Sequence, residues 1–493
     1  MLLVLYAGLC KALLFRDLEY YGSDFFSFLE MTWSWSYGRG VLHDNVYGHH
    51  SAIHNFYLLP AFSLLTVPLG AYGLILGLVL LHLAATLRLA RASALSLAGR
   101  LAVLAGLLSP VAWYVFDHPE WGFHPELGYP PLVLLFALDL LEGGRPRRAV
   151  LLGAAIVLVK EDGAVLCAGV LVAWFATRLP ALRRASRAER RRAVARAALI
   201  LLAVTLAFAA GLAVLTATSR AVGSGEGTAA RRIPESLTML ANTLAGRGRP
   251  DRPRALQEGL VGYALMGALL LLPLGRRLPR GLLLLLLSAP PLVTVLMVSS
   301  STYRFTYMLW PPRLATLLAL VLACLAFAPS AEAGPASPRR LAGVIALGTV
   351  SWGLQLLLLA RVGYAPGPRL HAPALLEGRG YRVSTLPPGE LRFLRCVAGR
   401  LPRGLAVSAF GDTHPLFHRQ SIVFEGFRAP TAPRPRLRVV PAADPPPEDG
   451  ASCPGPRVGG VALVADCALL PLVAGCEREG TPGAAGGQAF SAR

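Results

Sequence analysis

Apolar runs close to membrane-spanning length dominate this chain and decide what it can fold into. "AYGLILGLVLLHLAATL" (71–87), "ALILLAVTLAFAAGLAVLTA" (198–217) and "GLLLLLLSAPPLVTVLMV" (281–298) approach or reach the ~20 residues that cross a bilayer as a helix. Across 493 residues, 54% are hydrophobic and 15% charged, and the mean hydropathy is +0.52. That is too apolar and too long for one soluble core. The expected class is mainly α, a polytopic α-helical membrane protein.

The net charge of +20 invites a nucleic-acid reading, but the basic residues sit in short connections between apolar runs. These are "GGRPRR" (143–148), "RLPALRRASRAERRRAVAR" (178–196), "GRRLPR" (275–280) and "SPRR" (337–340). Such placement follows the positive-inside pattern, so the charge is read as orientation. Residues 1–15 lack a basic n-region and a small-residue cleavage site, and read as a retained first helix. With a cytoplasmic start, about eleven crossings are expected, near 1–15, 71–90, 100–116, 129–142, 149–159, 163–177, 197–216, 260–275, 281–298, 310–328 and 341–360. A first external loop spans 16–56. "YLLPAFSLLTVPLG" (57–70) is 14 residues with two prolines and is expected to be re-entrant or interfacial. One feature runs against the charge rule: the external loop 217–259 holds seven arginines.

The run 151–175 contains Lys160, Glu161 and Asp162 in the middle of apolar sequence. Lys11 and Lys160 are the two lysines of the chain; every other of its 48 basic residues is arginine. Three charges mid-bilayer would cost ~2.5–3.5 kcal/mol each on insertion scales. A break at "KEDG", with Gly163 supplying the turn, gives two short helices and puts both flanking basic loops on the cytoplasmic side. The same count places "YYGSDFFSFLEMTWSW" with "DNVYGHHSAIHNF" (20–56), "FDHPEWGFHPELGYPP" (116–131) and "SSSTYRFTYMLWPP" (299–312) on that external face.

Beyond residue 360 the character changes. "GLAVSAF" (404–410) and "RVGGVALVADCALL" (457–470) read as strands of a small external α/β domain, 361–493, with a Pro-rich stretch (429–456) inside it. The competing reading of 458–475 is a twelfth crossing. Cys396, Cys453, Cys467 and Cys476 all fall here and allow three pairings.

Taken in order, "GSDFFSF", "HHSAIHNFYLLPAF", "FHPELGYPPLVLL", "LVKEDGAVLCAGVLVAW", "YRFTYMLWPP" and "LPRGLAVSAFGDTHPLFHRQ" resemble the bacterial membrane-protein family called domain of unknown function 2079. The layout of that family is similar to the GT-C class of integral-membrane glycosyltransferases. The resemblance implies an inner-membrane protein that takes a sugar from a polyprenyl-phosphate carrier on the extracytoplasmic face. The bilayer and a lipid-linked sugar donor would be its partners. It also implies Asp24 as base or metal ligand, with Glu126 and Glu161 as further catalytic acids. Lys160, Arg304, Tyr303 and His50 would bind substrate. Asp24, His124 and Asp162 would hold a divalent metal, Mg²⁺ or Mn²⁺.

Each residue also has a plainer reading. Asp24 lies in an aromatic-rich amphipathic stretch and suits a solvated acid on an interfacial helix. His124 and Glu126 suit helix capping and loop packing. Lys160 with its acidic neighbours suits an ion pair that fixes a hairpin, and Tyr303 an interfacial anchor. Histidines in a polar external loop need no function. No Walker loop, dinucleotide fingerprint or Cys/His zinc spacing occurs, so any energy for transfer comes with the substrate. The alternative function is an ion- or proton-coupled transporter or channel, in which buried Lys, Glu, Asp and His line a path across the membrane.

Overall fold

The computed structural model describes residues 1–16, 18, 20, 23–50, 54–93, 95–116, 122–161, 163–222, 338–361, 386–424, 431–443 and 452–480. Most of these are helical. Helices α1 (Leu2–Arg16), α2 (Ser23–Trp33), α3 (Ser63–Leu69), α4 (Ala71–Ala90), α5 (Leu97–Leu107), α6 (Pro110–Phe116), α7 (Tyr129–Leu141), α8 (Pro146–Val159), α9 (Gly163–Arg184) and α10 (Arg187–Val222) precede α11 (Pro338–Arg361). A two-stranded ribbon, β1 (His43–Asp44) with β2 (Gly48–His49), lies in the loop after α2.

The expected eleven crossings are not what the described residues display. Two helices are long and apolar enough to cross a membrane: α4, and residues Arg187–Thr218 of α10. The expected spans 129–142 and 149–159 correspond to helices of 13 and 14 residues. At 1.5 Å per residue these are about 20 Å long, against a hydrocarbon core of about 30 Å. α7 is buried at every position, enclosed by α4, α8 and α9, so its apolar composition answers to protein neighbours. The expected span 100–116 divides at Ser109: its hydroxyl accepts the Ala112 N–H, Pro110 opens α6, and two shorter helices result. The expected spans 260–275, 281–298 and 310–328 lie outside the described residues. α10 differs from α7 in exposing Leu199, Leu201, Leu202 and Leu206 along its outer face.

The stretch 57–70 forms a short 3-10 turn, Leu59–Phe62, leading into α3. These 11 residues reach about 16 Å, roughly half a bilayer core, and α3 folds back onto α4. A Cβ on Gly73 would lie 2.2 Å from the Leu65 carbonyl oxygen, so only glycine allows that approach.

The chain turns back at 160–163. Lys160 is fully extended (φ −170°, ψ 161°), which ends α8. The Cys167 thiol then donates to the Gly153 carbonyl at 3.5 Å. In one straight helix those residues would stand about 21 Å apart along the axis. Gly163 contributes by close approach and not by a left-handed turn: a Cβ there would meet the Ile156 carbonyl oxygen at 2.1 Å.

The C-terminal region is a small α/β unit. α12 (Pro388–Arg400) precedes β3 (Ala406–Ser408), β4 (Ser421–Ile422), β5 (Leu437–Pro441), β6 (Ser452–Val458) and β7 (Val461–Asp466). Short helices α13 (Leu470–Val473) and α14 (Cys476–Gly480) follow. The sheet order is β4-β3-β5-β7-β6; β3 pairs parallel with β4 and β5, and β7 antiparallel with β5 and β6. A strand at 461–466 replaces the twelfth-crossing reading, and β5 lies inside the Pro-rich stretch. After β3 the chain forms a 3-10 turn, Gly411–Phe417. Of the three possible cysteine pairings, the structure has Cys396–Cys476 and Cys453–Cys467.

A buried polar seam joins this unit to the loop after α2. Asn45 Nδ2 donates to the Ile422 carbonyl at 2.8 Å, and Arg39 donates to Glu30 at 2.8 Å and to the Gly404 carbonyl at 3.2 Å. The Ser421 hydroxyl bonds to Glu30, Arg39 and Asn45. Burial pushes the Glu30 carboxyl up to about 8, although Ser421 and Arg39 both act to lower it.

Candidate functional site

The break between α8 and α9 is where the charged candidates meet. Lys160 Nζ donates to Glu126 Oε1 at 2.8 Å. Glu126 is fully buried in a 3-10 turn, Pro125–Gly128, that Pro125 opens and α7 continues. Its other oxygen pairs with His124 Nδ1. One carboxylate oxygen thus takes the ammonium, and the imidazole lies against the other. The Lys160 side chain stays 17% accessible, whereas its counter-ion is sealed. The Tyr129 hydroxyl and the Gly163 N–H both donate to the Lys160 carbonyl and hold the extended residue in place.

Glu161 points to a different partner. His54 Nδ1 lies 2.7 Å from Glu161 Oε1, and the Asn55 N–H reaches Oε2 at 3.5 Å. Burial drives His54 down to about 4, so at neutral pH it is an uncharged donor to the carboxylate. Burial alone would raise Glu161; the His54 contact and Lys160 outweigh it and hold the group at about 2. Desolvation raises the neighbouring Tyr57 phenol to about 12. The Leu58 N–H caps the Leu158 carbonyl at 2.8 Å, docking the 57–70 segment onto the end of α8, which satisfies a carbonyl the broken helix leaves open.

His50 belongs to the same neighbourhood through aromatic packing. It is buried, and its Nδ1 meets Asp44 Oδ2 at 3.1 Å. Asp44 also accepts from the backbone of Val46 and Tyr47, both at 2.8 Å, and from Ser27 of α2. The His50 and His54 rings stack at 6.1 Å, and Phe56 packs against both. Phe28 ties the two halves together, contacting His124 at 4.5 Å and His50 at 6.1 Å between ring centres.

Asp24 sits half-buried in the first turn of α2. It precedes Phe28 by four residues and so shares the helix face that Phe28 presents to His124. The structure thus brings Glu126, Lys160, His124, Glu161 and His50 into one neighbourhood, with Asp24 one turn away along α2. Tyr303, Arg304 and Asp162 lie outside the described residues, as does "DHPE" (117–120). His54 and Asp44 went unassigned in the sequence. The signal for His54 was its i, i+4 spacing from His50; Asp44 carried none.

Among the described residues, no three His, Cys, Asp or Glu side chains group as a metal set. Of the expected metal ligands Asp24, His124 and Asp162, the last lies outside the described residues; His124 lies against Glu126, whose other oxygen takes the Lys160 ammonium. A second charged group lies at the other end of α7, where Asp139 faces Arg148 at 3.6 Å and Arg196 at 3.5 Å, and Arg88 pairs with Glu142. Between the two groups, residues 132–138 of α7 are entirely apolar. Compared with family models, curated proteins and solved structures, the chain matches none.

Proposed function

We propose that this chain is a multi-spanning membrane glycosyltransferase of the GT-C type, moving a sugar from a polyprenyl-phosphate carrier to an acceptor at the extracytoplasmic face. The observation that carries the reading is the segregation of titratable groups. On α7 and α8 they gather at one end, and the apolar residues 132–138 of α7 separate them from the arginine-rich end; the buried Lys11 and His82 stand apart on α1 and α4. A path for ions would string such groups through that layer. Two disulfides in the C-terminal unit suit an oxidising face, and the seam at Ser421 puts that unit beside the loop after α2.

In this reading an acceptor hydroxyl attacks the anomeric carbon and the bond from that carbon to the carrier phosphate breaks. The hydroxyl proton passes to Asp24, a carboxylate at the edge of a low-dielectric aromatic face. The Lys160 ammonium takes up the negative charge on the departing phosphate. Glu126, bonded to the ammonium through Oε1, positions Lys160, and Glu161 with His54 fixes the turn that presents it. No step is routed through a metal.

The test is transfer by purified full-length protein given radiolabelled polyprenyl-phosphate sugars, with and without Mg²⁺ or Mn²⁺. Labelled product is expected, reduced by ~100-fold or more in Asp24→Asn as for loss of a general base. Transfer that survives this change removes Asp24 from the chemistry. Charge-coupled uptake into proteoliposomes with no transfer from any donor would replace the enzyme with a transporter.

A further inference from the structure

A cleft of about 270 Å³ opens between the end of α1, the start of α4 and the C-terminal unit. Its walls include Phe15, Arg16, Tyr72, Arg395, His418 and Arg419. None of these belongs to the Lys160 cluster. Among the described residues, three arginines line it and no carboxylate does.

The arginines of this surface divide into two kinds. Arg392, Arg400 and Arg403 spend their guanidiniums on backbone carbonyls of Glu479, Ala474 and Val67. Arg395 and Arg419 are exposed, and among the described residues neither side chain has a partner. His418 adds a neutral donor. Its Nδ1 accepts the Ala71 N–H at 3.2 Å, which leaves the ring proton on Nε2. Burial, helped by Arg419, lowers this imidazole to about 4, so it remains uncharged at neutral pH. The approach depends on Gly70, whose φ of +60° and absent Cβ admit the ring; a Cβ would lie 2.3 Å from Nδ1.

Position and size narrow the ligand. The cleft lies where α1 ends and the apolar, 20-residue α4 begins. Tyr72 and Phe15 pack on His418 at ring-centre distances of 5.5 and 5.4 Å, an aromatic lining of the kind found at headgroup depth. Its volume falls just below the ~300 Å³ at which drug-sized ligands begin, enough for a headgroup. The Arg395 and Arg419 guanidiniums present planar forks of donors that match phosphate. We infer that this cleft binds the phosphate of an anionic phospholipid headgroup, with Arg395 and Arg419 as its principal contacts. The inference goes beyond the transfer reading and does not depend on it.

The experiment titrates short-chain phosphatidylglycerol, phosphatidylcholine and, separately, inorganic phosphate into purified full-length protein in neutral detergent. Native mass spectrometry counts what is bound. Phosphatidylglycerol is expected to bind in preference to phosphatidylcholine. Affinity should fall about fivefold for Arg395→Gln or Arg419→Gln and about 25-fold for the pair. The control Arg392→Gln/Arg400→Gln removes the same charge outside the cleft and should keep the affinity. Both pairs are surface changes, and unchanged circular dichroism verifies the fold. Equal losses in the two pairs, or none in either, overturn the site. Binding of inorganic phosphate without phosphatidylglycerol overturns the lipid source.

Discussion

The two ends of the α7–α8 pair both bury charge, yet they do so with different chemistry. At one end Asp139 is 1% exposed and is met by Arg148 and Arg196, while Arg178 and Trp174 donate to the last carbonyls of α7. Arginine stays protonated in proteins and offers a fixed fork of donors, so this end can only cap and clamp. At the other end the partners are lysine, histidine and glutamate, whose protons can move and whose charges respond to a neighbour. Arg148 is also half in water, whereas Glu126 is sealed. The lesson is that a buried ion pair says little alone; whether its partners are arginine or groups that can exchange protons decides what the pair is able to do.

The largest expected effect breaks the sealed end. Glu126→Ala strands the Lys160 ammonium beside His124 and should cost about 3–5 kcal/mol of stability, with transfer lost as well. Thermal unfolding and the sugar-transfer assay check the two halves of that statement. Asp139→Ala is expected to cost less, about 1–3 kcal/mol, because Arg148 can reach water. Transfer per folded molecule should stay unchanged; a loss there would mean the clamp end takes part in chemistry.

Acid should distinguish the ends next. His54 and His418 have folded-state values near 4 against an ordinary 6.5, so the unfolded chain binds the extra protons between those limits. Their stabilising contribution is complete above pH 6.5 and is lost as pH falls through 4. Glu161, lowered to about 2, keeps its contribution until pH drops through 4.5 toward 2. Glu30 acts oppositely, its contribution being lost as pH rises from 4.5 through 8. The Tm of His54→Gln should therefore fall less steeply than that of the unmodified chain between pH 6.5 and 4. Parallel curves would remove His54 from the buried set. The smallest effect belongs to Arg148→Ala, an exposed partner, expected to change stability by under about 1 kcal/mol.

The hairpin at 160–163 was legible because charge and glycine interrupt an apolar run, a local signal that needs no knowledge of neighbours. So were the strands at 406–408 and 461–466, short apolar runs bounded by glycine. β5 was hidden because "RPRLRVVP" mixes arginine and proline with its buried Leu437 and Val439. The number of crossings was not legible for a physical reason: a 13-residue helix enclosed by protein has the same composition as part of a membrane span. At the site, Lys160, Glu126 and His124 were visible as charges next to prolines and turns. Their pairing across 34 residues was not, and neither was the link of His54 to Glu161, 107 residues away. Such pairs are set by how helices stack, which short motifs do not encode.

The Cys396–Cys476 bridge closes a covalent ring around the whole five-stranded sheet, and Cys453–Cys467 closes a smaller ring within it. A protease that cuts once between Cys396 and Cys453 leaves two fragments still tied together, separable on a gel only after a thiol reductant. A nick in that interval would therefore leave the last residues of the unit tethered to the body of the protein.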